Sequence, residues 1–259
     1  MVMIEVRDLK KTFRAGRQQR RQPGRGRGEK YIRAVDGITF RCEPGRIFTL
    51  LGPNGAGKTT TLRLIATLLK PVSGSIHIDG IDVVRDPMAA RRKLGFLTGS
   101  TRLYDRLTPH ELVKYYADLH RVDRAVFRKR RDDLFSMLDM HEFAHTRIGK
   151  LSTGMKQKVS IARTMIHDPQ VMVFDEPTVG LDVITSRAIV TLIRQVRDEG
   201  KTVIFSTHIM GEVSRLSDDL AVLHRGRLCY NGTYADFAGR MQSATLEEEF
   251  IRVLQETDV

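Results

Sequence analysis

Apolar side chains recur along this chain at two spacings, and their alternation sets out its elements. Residues 47–51, 94–97, 171–174 and 202–206 are short, largely apolar runs with the composition of strands covered on both faces. Elsewhere the spacing lengthens to that of helices. Leu62, Ile65, Ala66 and Leu69 fall on one face of a helix predicted over 61–69. Helices are also predicted over 112–119, 125–138 and 152–167, the last opened by Ser152 as N-cap and stopped by Asp168-Pro169. Another covers 186–199 and closes at Gly200. Thr108-Pro109-His110-Glu111 offers an N-cap, a proline at the first helical position and an acid three places on. The helical block that follows reads as a subdomain inserted into the sheet. Alternation at Ile4, Val6 and Leu9 predicts an edge strand over 1–13, with further strands over 32–40 and 75–78. Residues 220–223 and 228–230 predict a hairpin about His224-Arg225-Gly226-Arg227, and 246–254 a short amphipathic helix.

Composition narrows this α/β pattern only a little. The 259 residues suffice for one large domain with an insertion or for two small ones, and 41% hydrophobic content supports a core. Lys plus Arg exceed Asp plus Glu, 43 against 31, a net charge of +12. That sign favours polyphosphates, nucleic acid or an anionic membrane surface without choosing among them. Half of the excess lies between Ala15 and Arg33, where seven basic residues meet one acid among few large apolar side chains. A mobile basic loop is expected over 15–31, because such a segment buries too little to offset its ordering entropy. Cys42 and Cys229 have neither metal-ligand spacing nor a disulfide framework, which suits a reducing cytosol. No run approaches 18 apolar residues and no signal peptide is visible, so the chain is expected to reach a membrane only through a partner.

Chemistry concentrates after the strand at 47–51. Gly52-Pro53-Asn54-Gly55-Ala56-Gly57-Lys58-Thr59-Thr60 stands between that strand and a helix, the context a phosphate-binding loop requires. Its glycines allow the backbone to turn tightly with N–H groups pointing inward, and the helix N-terminus adds partial positive charge. Lys58 is expected to reach the β- and γ-phosphates of a nucleotide and Thr59 to ligate Mg²⁺. Asp175 closes the strand at 171–174, where a carboxylate can hold the same Mg²⁺, and Glu176 after it can polarise the attacking water.

Leu151-Ser152-Thr153-Gly154-Met155-Lys156-Gln157 resembles the signature motif of the ABC ATPases. The phosphate loop, the signature, 171–176, 177–182 and His208 occur in that family's order and spacing, and the likeness covers nearly the whole chain. Residues 103–108 and 180–183 are similar to the sodium-extrusion (NatA-type) and ABC-2 drug-export branch. The resemblance implies a P-loop NTPase with a parallel core sheet, an antiparallel β subdomain and an inserted helical subdomain at about 99–166. The ATP-binding domain would span 4–236 and a short tail 237–259. It implies that Gly52 to Thr60 form Walker A, that Asp175 and Glu176 end Walker B, and that Phe13 stacks on adenine. Ser152 and Gly154 would contact the γ-phosphate held by a second subunit, Asp182 would be the D-loop residue, and His208 the switch histidine at the γ-phosphate. ATP and Mg²⁺ would be the cofactors. A homodimer and a separate membrane permease would be the partners, at the cytoplasmic side of the membrane. One departure stands out: Gly99 occupies the position of the Q-loop glutamine, leaving Thr98, Ser100, Thr101 or water to take its role. The competing reading, a non-transport ABC ATPase acting on nucleic acid or ribosomes, draws on the +12 charge. A single cassette without a coiled-coil insertion weighs against it.

Overall fold

A computed structural model describes residues 2–14, 31–98 and 103–257 of the 259. The expected basic loop, apart from Tyr31, and Gly99, Ser100 and Thr101 lie outside the described residues.

Strands β1 (Ile4–Arg14), β2 (Tyr31–Cys42), β4 (Ser73–Ile78) and β5 (Ile81–Asp82) form a four-stranded sheet in the order β2-β1-β4-β5. The expectation of an edge strand at the N-terminus is corrected here. β1 pairs antiparallel with β2 on one side and with β4 on the other, and Ile4, Val6 and Leu9 are fully buried. Alternation reports a half-buried face, not how many neighbours a strand has, so it could not separate the two cases.

The second sheet has six strands in the order β10-β9-β3-β8-β7-β6: β3 (Ile47–Leu51), β6 (Leu94–Thr98), β7 (Val171–Asp175), β8 (Thr202–Thr207), β9 (Asp219–His224) and β10 (Arg227–Thr233). Five run parallel, and β10 turns back antiparallel on β9 as the predicted hairpin. Every residue of β3, β7 and β8 is buried. Alternate side chains serve opposite faces, as a period of two dictates. Met172, Phe174, Val203 and Phe205 join the cluster beneath the helices, while Val171, Val173 and Ile204 join the cluster shared with the four-stranded sheet. Full burial of such a side chain contributes about 1.5–3 kcal/mol, so this sheet is the mechanical base of the molecule.

Helix α1 (Lys58–Ile65) follows β3, and α2 (Pro87–Lys93), capped by Asp86, precedes β6. Between β6 and β7 come α3 (Pro109–Leu119), α4 (Arg124–Met137) and α5 (Thr153–Met165). The Thr108 capping box on α3 and the Ser152 cap on α5 form as the sequence implies. Helix α6 (Val183–Asp198) leads to β8, and α7 (Met210–Leu216) to β9. Two C-terminal helices, α8 (Tyr234–Gly239) and α9 (Leu246–Thr257), close a small core around Phe237 and Phe250. Among the described residues no helix is long and apolar enough to cross a membrane. The order of strands reverses at β3, with β9 on one side and β8 on the other. Such a switch point opens a crevice at the C-terminal ends of parallel strands.

Candidate active site

The phosphate loop fills that crevice. Gly57 sits at φ +110° and its missing Cβ would lie 2.3 Å from the Ala34 carbonyl oxygen of β2. At Gly52 a Cβ would lie 2.3 Å from the Leu223 carbonyl oxygen of β9. Neither position can take a larger residue without moving backbone. The loop is also fixed sideways, since Gly226 N–H donates to the Ala56 carbonyl at 2.9 Å and Asp36 N–H to the Gly226 carbonyl at 2.8 Å.

Lys58 opens α1 and is only 4% exposed. Its ammonium donates to the carbonyls of Gly52 (2.7 Å) and Pro53 (3.2 Å) and stands 3.2 Å from the Glu176 carboxylate. A buried ammonium so equipped is a fixed positive point in a low-dielectric site. Beside it the Thr59 hydroxyl donates to Asp175 Oδ1 at 3.0 Å. The two donor groups expected to share a metal ion, a hydroxyl and a carboxylate, are thus already adjacent, and an all-oxygen set suits a hard cation such as Mg²⁺.

β8 stands between β3 and β7, so the acidic pair and the phosphate loop are one strand apart. Ser206 on that strand joins them. Its hydroxyl donates to Asp175 Oδ1 at 2.9 Å, and Glu176 N–H approaches Ser206 Oγ at 3.1 Å. Glu176 itself takes a left-handed backbone, φ +49°. This conformation is uncommon for a residue with a side chain and typical of functional turns. His208, just past β8, brings Nδ1 to 3.2 Å from Glu176 Oε1. Burial pushes the Glu176 carboxyl pKa up, but the hydrogen bonds from His208 and Lys58 and the Lys58 charge outweigh it and leave it below the usual value. Glu176 is therefore an ionised acceptor at neutral pH, the state a general base needs.

A cavity of about 640 Å³ is lined by residues 53–60 and Glu176, and also by Ile32, Arg33, Ala34 and Arg225. The last four escaped the sequence reading. Arg225 lies in the predicted hairpin turn, but nothing local marks a turn arginine as pocket-facing; the long-range pairing of the two sheets puts it there. Phe13 lies on β1 opposite Ile32, is 38% exposed, and has the Lys11 ammonium 5.4 Å from its ring centre. It is not among the residues lining the cavity.

Ser152, Gly154 and Asp182 do not line it either. Ser152 is exposed, with its hydroxyl accepting from Met155 N–H at 3.2 Å to cap α5. Gly154 faces Thr185 of α6, whose Oγ1 would lie 3.0 Å from an added Cβ. Asp182 caps α6 through Thr185 N–H (2.9 Å) and Thr185 Oγ1 (2.7 Å), and those bonds hold its carboxyl below the usual range. Gln157 ties α5 to the turn after Glu176 by donating to the Pro177 carbonyl at 2.8 Å. Thr98 ends β6 opposite Asp175.

Known proteins with these features are numerous. The family model described as "ABC transporter" matches residues 35–179. The ABC transporter ATP-binding protein NatA of Bacillus subtilis (strain 168) is 40% identical over 227 residues, 87% of this chain and 92% of that protein. The linearmycin resistance ATP-binding protein LnrL of the same organism is 33% identical over 94% of this chain and 73% of its own length. Among solved structures, the dimeric post-hydrolysis state of the ATP-binding cassette MJ0796 bound to ADP and Pi superposes with a TM-score of 0.76 at 26% identity. The match covers 89% of this chain and 98% of that one.

Proposed function

The chain belongs to the ABC transporter family as an ATP-hydrolysing subunit, and from that premise we propose that it is the ATPase of an exporter, working as a pair of copies on a separate ABC-2 type permease. The observation that carries the chemistry is the joint placement of Lys58, Thr59, Asp175, Glu176 and His208 at one sheet edge, linked by bonds of 2.9–3.2 Å.

ATP would lay its phosphates against residues 53–60, with the backbone N–H groups and the α1 N-terminus facing the oxygens and Lys58 reaching the β- and γ-phosphates. Thr59 and Asp175 would hold Mg²⁺, which when bound offsets phosphate charge. Glu176 orients a water and accepts its proton as the water oxygen bonds to the γ-phosphorus. The bond to the bridging oxygen breaks in line, leaving ADP and phosphate. His208 holds the Glu176 carboxylate, and the family resemblance gives it the γ-phosphate contact, although it does not itself line the cavity. Ser152 and Gly154 carry no contact to the pocket of their own chain, which supports a second copy delivering the α5 N-terminus to it, with Asp182 at that junction. Two ATP molecules would then close the pair, and closure would drive the permease.

Export as the direction is supported by the linearmycin resistance relative. The resemblance at 103–108 and 180–183 supports Na⁺ or a drug as cargo. Peripheral attachment at the cytoplasmic face follows from the same assignment. The test is co-expression with any multi-span membrane protein that the neighbouring genes encode. Recovery in the membrane fraction only with that protein, with ATP-dependent efflux that Glu176→Gln abolishes, is expected. Salt-sensitive recovery with RNA and no membrane association would overturn the transport reading.

A further inference from the structure

Outside the groups that face the nucleotide pocket, one buried acid has a conspicuous position. Glu212, on α7, is 7% exposed, and a carboxyl group that deep is costly unless its oxygens are hydrogen-bonded. Its Oε1 accepts from the hydroxyl of Thr178 in a very short contact, and its Oε2 accepts from the hydroxyl of Thr207 at 2.5 Å. Both threonines are themselves buried, at 5% and 2% exposure. Thr178 comes two residues after Glu176. Thr207 comes immediately before His208. One carboxylate therefore grips the chain just after Glu176 and just before His208.

The grip extends to the backbone. Thr207 Oγ1 also accepts from Ile209 N–H at 3.0 Å, closing a small ring around His208 whose hydroxyl proton is directed at Glu212. On the other side, Leu181 N–H bonds to the Thr178 carbonyl and Val179 N–H to the Glu176 carbonyl, so the turn that carries Glu176 in its left-handed conformation is anchored through Thr178. Glu212 N–H in turn bonds to the Ile209 carbonyl at 3.0 Å. Without the acid, the two hydroxyls would lose their shared acceptor in a space closed to bulk water.

We propose that Glu212 is a positioning residue for ATP hydrolysis: it clamps the turn after Glu176 to the end of β8 and so fixes the distance between Glu176 and His208. The proposal rests on the reading of those two residues as the hydrolytic pair. Glu212 touches neither the phosphate loop nor the cavity, so nucleotide binding should be indifferent to it.

Steady-state hydrolysis by the purified full chain tests this. Glu212→Ala is expected to lower kcat by about 10–100-fold while KM for Mg-ATP moves less than about threefold, because misplacing a reacting group by about 1 Å costs up to about 10²-fold. Glu212→Gln, which keeps one acceptor oxygen and the shape, should recover kcat to within about threefold of wild type. In a His208→Ala background, Glu212→Ala should cost far less than it does alone, since residues acting as a unit are not additive. Thr178→Val, an isosteric change on the other partner, should lower kcat several-fold in the same pattern and serves if Glu212→Ala does not fold. A kcat unchanged in Glu212→Ala, a rise in KM matching the fall in kcat, or full multiplicativity with His208→Ala would each overturn the positioning role. If His208→Ala itself hydrolyses ATP normally, the reading of the catalytic pair fails, and the role of Glu212 falls with it.

Discussion

The C-terminal edge of the six-stranded sheet and the N-terminal end of α5 are the two regions proposed to meet a nucleotide, and they are constructed in opposite ways. At the sheet edge Lys58 and Asp175 are 4% and 5% exposed, and each is fixed by partners within the same chain. At the helix end Ser152 is exposed and its hydroxyl is committed to its own cap, while Gly154 offers only backbone. The first region is tied together within one polypeptide; the second lies outside the cavity of its own chain. Pre-organisation at one region and an exposed polar end at the other fit the proposed meeting of two copies.

That contrast can be broken by substitution. The largest effect is expected at the sheet edge. Glu176→Gln should cut turnover by about 10²–10⁴-fold with Mg-ATP still bound, read by steady-state hydrolysis beside a fluorescent-nucleotide titration; near-normal turnover would remove Glu176 from its role. Gly154→Asp places a negative charge where the partner's phosphate is expected. It should lower turnover by about 10²-fold and abolish ATP-dependent dimers in size-exclusion chromatography, yet leave ATP affinity of the single chain unchanged. Loss of single-chain affinity instead would mean the two regions are not separate.

The other end of α5 sharpens the comparison, because there the helix is joined to the core sheet. His167, just beyond it, brings Nε2 to 3.2 Å from the Leu94 carbonyl of β6, and its ring stacks on His120 at 3.7 Å. Burial, then the neighbouring His120, lowers its pKa from 6.5 to about 4. Between those values the unfolded chain binds the extra proton, so stability rises with pH. It is retained above pH 6.5 and falls as pH drops toward 4, by up to about 3 kcal/mol. Thermal unfolding at pH 7 and pH 4.5 measures this, and His167→Gln should flatten that part of the profile. The smallest effect belongs to the exposed cap: Ser152→Ala should cost about 1 kcal/mol in denaturant unfolding.

Most of the candidate site was legible because its residues follow strands with clear apolar runs: Lys58 opens the helix after one, and Asp175 ends another with Glu176 next in the chain. α2, α7 and α8 were missed, helices of six or seven residues. α2 carries an Asp86-Pro87 start that could have been read; α7 has no side-chain cap, and two turns give too little periodicity to register. Glu212 disappeared with α7. Arg33, Ala34 and Arg225 were invisible for a different reason: their place in the pocket depends on the packing of β2 against the β9–β10 turn, a pairing between residues nearly two hundred positions apart. The position of β1 in the middle of its sheet was likewise a fact about partners, which local alternation does not encode.

The two glycines of the phosphate loop bring a wider consequence. Main-chain oxygens belonging to different sheets, Ala34 of β2 and Leu223 of β9, press to within 2.3 Å of where side chains would begin. The ATP pocket is in effect a mortise joint, with a tolerance narrower than one methyl group. Any strain that shifts one sheet against the other, even from a distant replacement in the shared core, is therefore transmitted to the nucleotide without a lid or hinge having to move.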